Sequence, residues 1–245
     1  MVAQTNPSLR QKARFLDLMG SVLELFKAGK RNPDQLCQLL QLIKDSPNWY
    51  AQLFASVLPT KEDIQRQLSE WGRLYAEVFK FKNVNFSQLP IPTPPPGITR
   101  LFVGCNDLKT SQIFNVLGQK MPTATSYDDL DTIQSVAKRP LNKFYAIWAR
   151  DRVEADEELK NLSANDIKKR GINTLNLQER LLYELKYFLE TNGQHLDVMN
   201  WTLCAGSRDT AGDVPGVCWN DDRLEVSWSD PVDAEDGPRA RQAVS

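Results

Sequence analysis

The sequence predicts an α+β protein, with an N-terminal helical bundle joined by a proline-rich linker to a C-terminal α+β domain. Three observations support this prediction. Apolar residues recur at helical spacing over residues 8–82, prolines crowd residues 89–97, and short strand-like runs follow the linker. We therefore expect three parts: a bundle over 1–88, a linker over 89–97 and an α+β domain over 98–245.

Four amphipathic helices account for the predicted bundle. The first has its apolar stripe from Phe15 to Phe26, the second lies between Asn32-Pro33-Asp34 and Ser46-Pro47, the third spans Trp49–Leu58, and the fourth opens at Thr60 and runs through Phe79. Stripes of this kind usually form a core, although they could also dock a partner or hold an oligomer together.

Beyond the linker, helices and strands are expected in mixed order. Strands are predicted at 99–104 and 144–149, short helices at 110–117 and 128–136, a loop at 121–127, and a strong helix at 178–190 that ends at Asn192-Gly193. The charged run at 150–158 is interpreted as a solvated helix face or a set of ion pairs.

Near the C-terminus, a short repeat predicts a β-hairpin. Val217-Cys218-Trp219-Asn220-Asp221 recurs as Val226-Ser227-Trp228-Ser229-Asp230, and Asp221-Asp222 lies between the copies. Because Asp tolerates the backbone angles of tight turns, a turn there places 219 opposite 224, 217 opposite 226 and 215 opposite 228. Side chains alternate along a strand, so one face is apolar and is expected to join the core. Its members are Pro215, Val217, Trp219, Leu224, Val226 and Trp228.

The charge of this region differs from that of the rest of the chain. Residues 209–237 contain nine acids and one base, Arg223, whereas the whole chain has 30 basic and 31 acidic residues. The segment therefore carries a charge of about −8 and the remainder about +7, an asymmetry typical of an interaction surface. A plain solvated face is the alternative.

Composition excludes some classes of protein. The net charge of −1 argues against a general nucleic-acid binder, and no apolar run is long enough for a signal peptide or a membrane span. A cytoplasmic protein with no membrane or nucleic-acid partner is expected. The four cysteines lack the CxxC spacing of a metal or redox site and are interpreted as buried thiols, although Cys204 and Cys218 could approach each other.

No catalytic residue, metal site or cofactor is predicted. His195 is the only histidine, which excludes multi-histidine metal centres, and we interpret it as a structural residue beside a helix end. Clustered aspartates near Asp221 could attract a hard cation, but their spacing matches no known calcium loop.

Three sequence blocks carry a family resemblance. They are LQERLLYELKYF (177–188), WTLCAGSR (201–208) and RARQAVS (239–245). From about residue 140 onward the chain resembles C-terminal modules of uncharacterised proteins from uncultivated bacteria, which are similar to the variable proteins of diversity-generating retroelements. That resemblance implies a C-type-lectin-like, formylglycine-enzyme-related fold. The usual Gly-Gly-Ser-Trp of the family stands here as Ala205-Gly206-Ser207-Arg208, and its closing Gly-Phe-Arg is absent.

The resemblance implies a ligand- or protein-binding module that displays variable residues on a rigid scaffold, with Trp219 and Trp228 as fixed framework. The expected display positions are Asp209, Asp213, Gly216, Cys218, Asn220, Asp221, Asp222, Glu225, Ser227, Ser229, Asp230, Asp233 and Glu235. Their acidity predicts a macromolecular partner with a basic surface and salt-sensitive binding.

Two alternatives remain. The chain could be a structural or assembly protein that works through its N-terminal helices. It could also be a formylglycine-generating-type oxidoreductase, which would need Cys204 and Cys218 as a copper-binding or redox pair.

Overall fold

The computed structural model describes residues 58–95 and 97–245, and these residues form an α+β fold. They belong to one compact unit, Val57–Ser245. The first three predicted helices fall in the part of the chain that precedes this description. No helix among the described residues is both long and apolar enough to cross a bilayer.

The fourth predicted helix is confirmed as α1, Lys61–Arg73, which continues as a π-helical turn over Leu74–Val78. Thr60 is its N-cap. The Thr60 hydroxyl accepts from the Asp63 amide at 3.1 Å, and the Asp63 carboxylate accepts from the Thr60 amide at 3.1 Å. This reciprocal capping box satisfies amides that have no partner within the helix.

Helix α1 packs against a sheet. The indole of the fully buried Trp71 donates to the Leu101 carbonyl at 2.9 Å, and the hydroxyl of the fully buried Tyr75 donates to the Val103 carbonyl at 2.7 Å. These contacts join the helix to the predicted C-terminal domain, so the expected boundary at 89–97 does not separate them. An amphipathic stripe shows that one helix face is buried but does not identify the element that covers it.

The proline-rich segment also belongs to this unit. The indole of Trp148 donates to the Pro92 carbonyl at 2.6 Å, and Leu89 and Ile91 pack against the main core. Residues 89–95 therefore contact the folded unit directly and do not form a free spacer.

Strands β1, Arg100–Cys105, and β4, Phe144–Ala149, pair antiparallel, and α2, Thr110–Gly118, lies between them in sequence. All three were predicted. Two predictions nearby were wrong. The expected loop at 121–127 contains β2, Thr123–Thr125, and the expected helix at 128–136 holds only a 3-10 turn, Leu130–Thr132, and strand β3, Gln134–Ser135. Strand β2 obtains its hydrogen bonds from a strand a hundred residues away, so local sequence does not reveal it.

Two further helices follow: α3, Ala164–Lys169, and α4, Leu177–Glu190. The strong helix predicted at 178–190 is thus confirmed. The charged run before them forms ion pairs, including Arg150 to Asp156 and Arg152 to Glu158, both at 2.8 Å. Only a 3-10 turn, Glu157–Leu159, is helical in that run.

A five-stranded sheet positions the predicted display region. Its order is β2-β8-β7-β5-β9, where β5 is Trp201–Leu203, β7 is Val214–Asn220, β8 is Arg223–Ser229 and β9 is Pro238–Arg239. Strand β6, Ser207–Arg208, pairs separately with β3. Helix α4 packs on the face of the sheet that contributes Val217, Leu224 and Val226 to the main core, while Leu203 and Val214 belong to a second, smaller core.

Candidate interaction surface

The predicted hairpin forms in the predicted register. Strands β7 and β8 pair antiparallel with Trp219 opposite Leu224, Val217 opposite Val226 and Pro215 opposite Trp228. Asp221 and Asp222 connect them with φ angles of 48° and 58°. Two successive residues at positive φ are the mark of a type I′ turn, whose twist matches that of the flanking strands.

The inner face of the hairpin belongs to the core. Val217, Leu224 and Val226 are completely buried. Trp219 is half-buried, and its ring stacks on the imidazole of His195 with centroids 3.3 Å apart and planes 5° apart. The Nδ1 atom of His195 lies 3.0 Å from the Glu184 carboxylate, which supports the structural role predicted for this histidine.

Trp228 does not behave as the buried framework residue that was expected, since 57% of its surface is exposed. Trp228 lies two residues beyond Val226 and therefore points to the same face of β8. However, the pairing of β2 with β8 ends at Val226. The sheet therefore narrows before Trp228. The alternation of side chains along β8 could not indicate where its neighbouring strand ends.

The outer face and the tip of the hairpin hold six of the predicted display positions that reach solvent. Asn220, Asp221 and Asp222 are exposed at the tip. Cys218, Glu225 and Ser227 are half-buried along the two strands. Cys218 pairs directly with Glu225, and Ser227 lies two residues beyond Glu225, so these three side chains share one face of the sheet beside the tip.

Two predicted display positions are wrong because they are buried. Trp201 of β5 lies over Gly216, and a Cβ atom at Gly216 would come within 2.4 Å of the indole carbon Cε3. Ser229 is 9% exposed and pairs with Val214, a member of the second core. The half-buried Trp201 was not among the predicted display positions, and it contributes an aromatic surface beside the outer face.

The other five predicted positions lie in loops at the opposite end of the hairpin. Asp209 and Asp213 are half-buried, whereas Asp230, Asp233 and Glu235 are exposed. The Asp209 carboxylate accepts from the backbone amides of Ala211 and Asp213, each at 2.9 Å, which fixes its loop. Seven residues of strand separate these loops from the tip by about 20 Å. The acidic positions thus form two groups, with the outer face of the hairpin between them.

A buried network of charged side chains lies beneath the inner face. Arg180 of α4 donates through Nε to Asp197 and through a terminal nitrogen to Glu184, both at 2.9 Å. Arg241 donates to Asp197 at 2.6 Å and to the Thr202 hydroxyl at 2.9 Å. Burial by itself would lower the pKa of Arg180, but the carboxylates of Asp197 and Glu184 raise it above its ordinary value.

Sequence reasoning missed this network. Arg180 and Glu184 stand four apart on a helix, a spacing that usually marks a solvent-exposed ion pair. Asp197 lies in the segment between α4 and β5, and Arg241 near the end of the chain, so nothing local indicated their meeting. The signal that was present is the RLLYE sequence itself, in which charged residues sit within an otherwise apolar stripe.

The structure does not bring Cys204 and Cys218 together as a pair. Cys204 is buried in the main core together with Val217, Leu224 and Val226 of the inner face, while Cys218 lies on the outer face. Burial raises the pKa of the Cys204 thiol to about 12 and that of Cys218 to about 11, which keeps both protonated at neutral pH. The described residues contain no group of three or more His, Cys, Asp or Glu side chains that could hold a metal ion.

Comparison with known proteins identified no relative of this chain. No family model, curated protein or solved structure matches the chain.

Proposed function

We propose that this protein is a binding module that recognises a basic macromolecular surface through the outer face, tip and neighbouring loops of its C-terminal hairpin. The partition of the hairpin carries the proposal. Leu224 and Val226 of β8 and Val217 of β7 are completely buried, whereas Glu225 and Ser227, which alternate with Leu224 and Val226 along β8, face outward. Side chains can therefore change on one face without altering the core on the other.

The chemistry of the outward positions fits a protein-binding surface. Asn, Asp and Ser side chains offer adaptable hydrogen bonding, and the half-buried ring of Trp201 adds a rigid aromatic surface beside them. The excess of acids over 209–237 complements a lysine- or arginine-rich partner and would steer its approach.

The resemblance to variable proteins of diversity-generating retroelements extends this proposal to sequence variation. On a C-type-lectin-like scaffold, the outward positions would differ between relatives while the inner face stayed constant. Because Gly216 and Ser229 are buried, we leave them out of the set that we expect to vary, which is Asp209, Asp213, Cys218, Asn220, Asp221, Asp222, Glu225, Ser227, Asp230, Asp233 and Glu235.

Deep sequencing of the gene segment that encodes residues 201–245 across one natural population tests the proposal. We expect substitutions at the outward positions, with Gly216, Val217, Leu224 and Val226 unchanged. The two buried positions sharpen the test, since Gly216 and Ser229 would vary as well if the alternation of residues along the strands alone decided which positions are displayed. An invariant segment, or changes spread equally over both faces of the hairpin, would contradict the proposal.

A further inference from the structure

Three segments that are distant in sequence line a cavity away from the hairpin tip. They are the loop after β3 (136–138), the end of α3 with the loop that follows it (167–174), and the turn after β5 together with β6 (205–208). The cavity has a volume of about 410 Å³. That size suits a small organic molecule.

Hydrogen bonds and close backbone contacts hold the cavity walls together. The amides of Val136 and Ala137 both donate to the Gly206 carbonyl, at 2.8 and 3.1 Å. Gly206 itself approaches the next segment so closely that a Cβ atom there would lie 2.9 Å from the Thr174 carbonyl oxygen. The three walls are thus fixed relative to one another before any ligand arrives.

Three cationic side chains line this cavity: Lys138, Lys168 and Arg208. No Asp or Glu is among its lining residues. Within the described part of the chain, none of the three takes part in an ion pair. Positive charge is therefore concentrated here without a carboxylate to balance it.

Arg208 is the most constrained of these cations. It is half-buried, and one terminal nitrogen donates to the carbonyls of Ser207 and Ala205 at 2.6 and 3.0 Å, which fixes the guanidinium in place. Burial lowers the pKa of Arg208, with no neighbouring carboxylate to oppose that effect. Desolvating a cation without a counter-ion is unfavourable, and an anion bound beside it would recover that free energy.

We propose that this cavity binds a small organic oxyanion, whose charged head contacts Arg208, Lys138 and Lys168. Ile167, Ile172 and Ala205 supply apolar lining for the remainder of such a ligand. Guanidinium groups suit this role because their planar N–H donors match carboxylate and phosphate oxygens. The inference goes beyond the proposed function and does not depend on it.

Calorimetric titration of the full chain with two matched probes tests the proposal. Phenyl phosphate and benzoate share an apolar ring and differ in the anionic head, so the pair distinguishes a phosphate site from a carboxylate site. We expect at least one of them to bind, with Kd raised about 10-fold or more by Arg208→Gln and by Lys168→Glu, because each removes a charge-assisted contact. Lys169→Glu is the control, since Lys169 is exposed on the same helix but does not line the cavity.

The variants make the result decisive in either direction. Lys168→Glu and Lys169→Glu change the net charge equally. Weaker probe binding in Lys168→Glu alone would therefore show that Lys168 contacts the bound anion, and not that the overall charge of the protein attracts it. Lys168 is exposed, and its substitution keeps the test valid even where Arg208→Gln disturbs the 205–208 turn. Binding of neither probe, or equal weakening by both lysine variants, would overturn the proposal.

Discussion

Adjacent residues on strand β8 should respond very differently to truncation to alanine. Leu224 is completely buried against the main core, whereas Glu225 is half-buried on the outer face. Leu224→Ala removes three carbon atoms, worth about 2.4 kcal/mol of transfer free energy at ~0.8 kcal/mol each, and leaves a cavity as well. The expected loss in the free energy of unfolding is about 3–5 kcal/mol. Glu225→Ala removes only a contact to Arg223 at 3.7 Å, and we expect a loss below about 1 kcal/mol.

Urea unfolding followed by tryptophan fluorescence measures both variants on the same scale. The unfolding midpoint of Leu224→Ala should fall markedly, while the slope of its free energy of unfolding against urea concentration stays unchanged. The midpoint of Glu225→Ala should stay close to the parent value. Glu225→Ala is itself the matched control, because it lies on the same strand and shares the same neighbours in sequence. Equal losses would mean that both hairpin faces are buried, which would refute the assignment of an open outer face.

Two further predictions concern positions that sequence parity placed on the display surface. Gly216→Ala should destabilise the fold by about 1–3 kcal/mol, since the new Cβ would come within 2.4 Å of the Trp201 ring. Thermal unfolding measures this loss, and an unchanged unfolding midpoint would contradict the packing of Trp201 on Gly216. Cys218 should react with iodoacetamide at pH 8 faster than Cys204, because Cys204 is completely buried and burial raises its pKa to about 12. Peptide mapping of the alkylated protein measures the order of reaction, and the reverse order would show that the two hairpin faces are misassigned.

Local sequence was sufficient to predict the hairpin. The repeated Val-x-Trp pattern fixes which residues alternate, and Asp221-Asp222 supplies a turn at positive φ, so strand pairing followed from a dozen residues. The same was true of α1, where Thr60 and Asp63 mark the start of the helix. Features of this kind are encoded within one turn or one strand pair.

Contacts between distant segments could not be predicted in this way. The burial of Gly216 depends on Trp201, and the exposure of Trp228 depends on where β2 ends, and both are set by the order of strands in the sheet. The position of a residue along a strand gives the face to which its side chain points. Whether that face is covered depends on residues elsewhere in the chain.

The buried ionic network explains how the hairpin can hold its position independently of its outer side chains. Arg180 and Arg241 balance Asp197 and Glu184, so the cluster is neutral, and each of the four is at most 2% exposed. Removing one partner would leave an uncompensated charge in the core, at a cost of about 3–5 kcal/mol.

Asp197 connects this network to the display region. Its side chain accepts from Arg180 and Arg241, while its backbone carbonyl accepts from the Trp219 amide at 3.1 Å. It also adopts a φ of 54°, a left-handed conformation that Asp tolerates better than most residues and that its two arginine partners hold in place. The strand that leads to the tip is therefore tied through Asp197 to helix α4 and to the C-terminal segment. Because the side chains of Cys218, Glu225 and Ser227 take no part in that connection, their substitution should leave the geometry of the scaffold intact, as the proposed binding function requires.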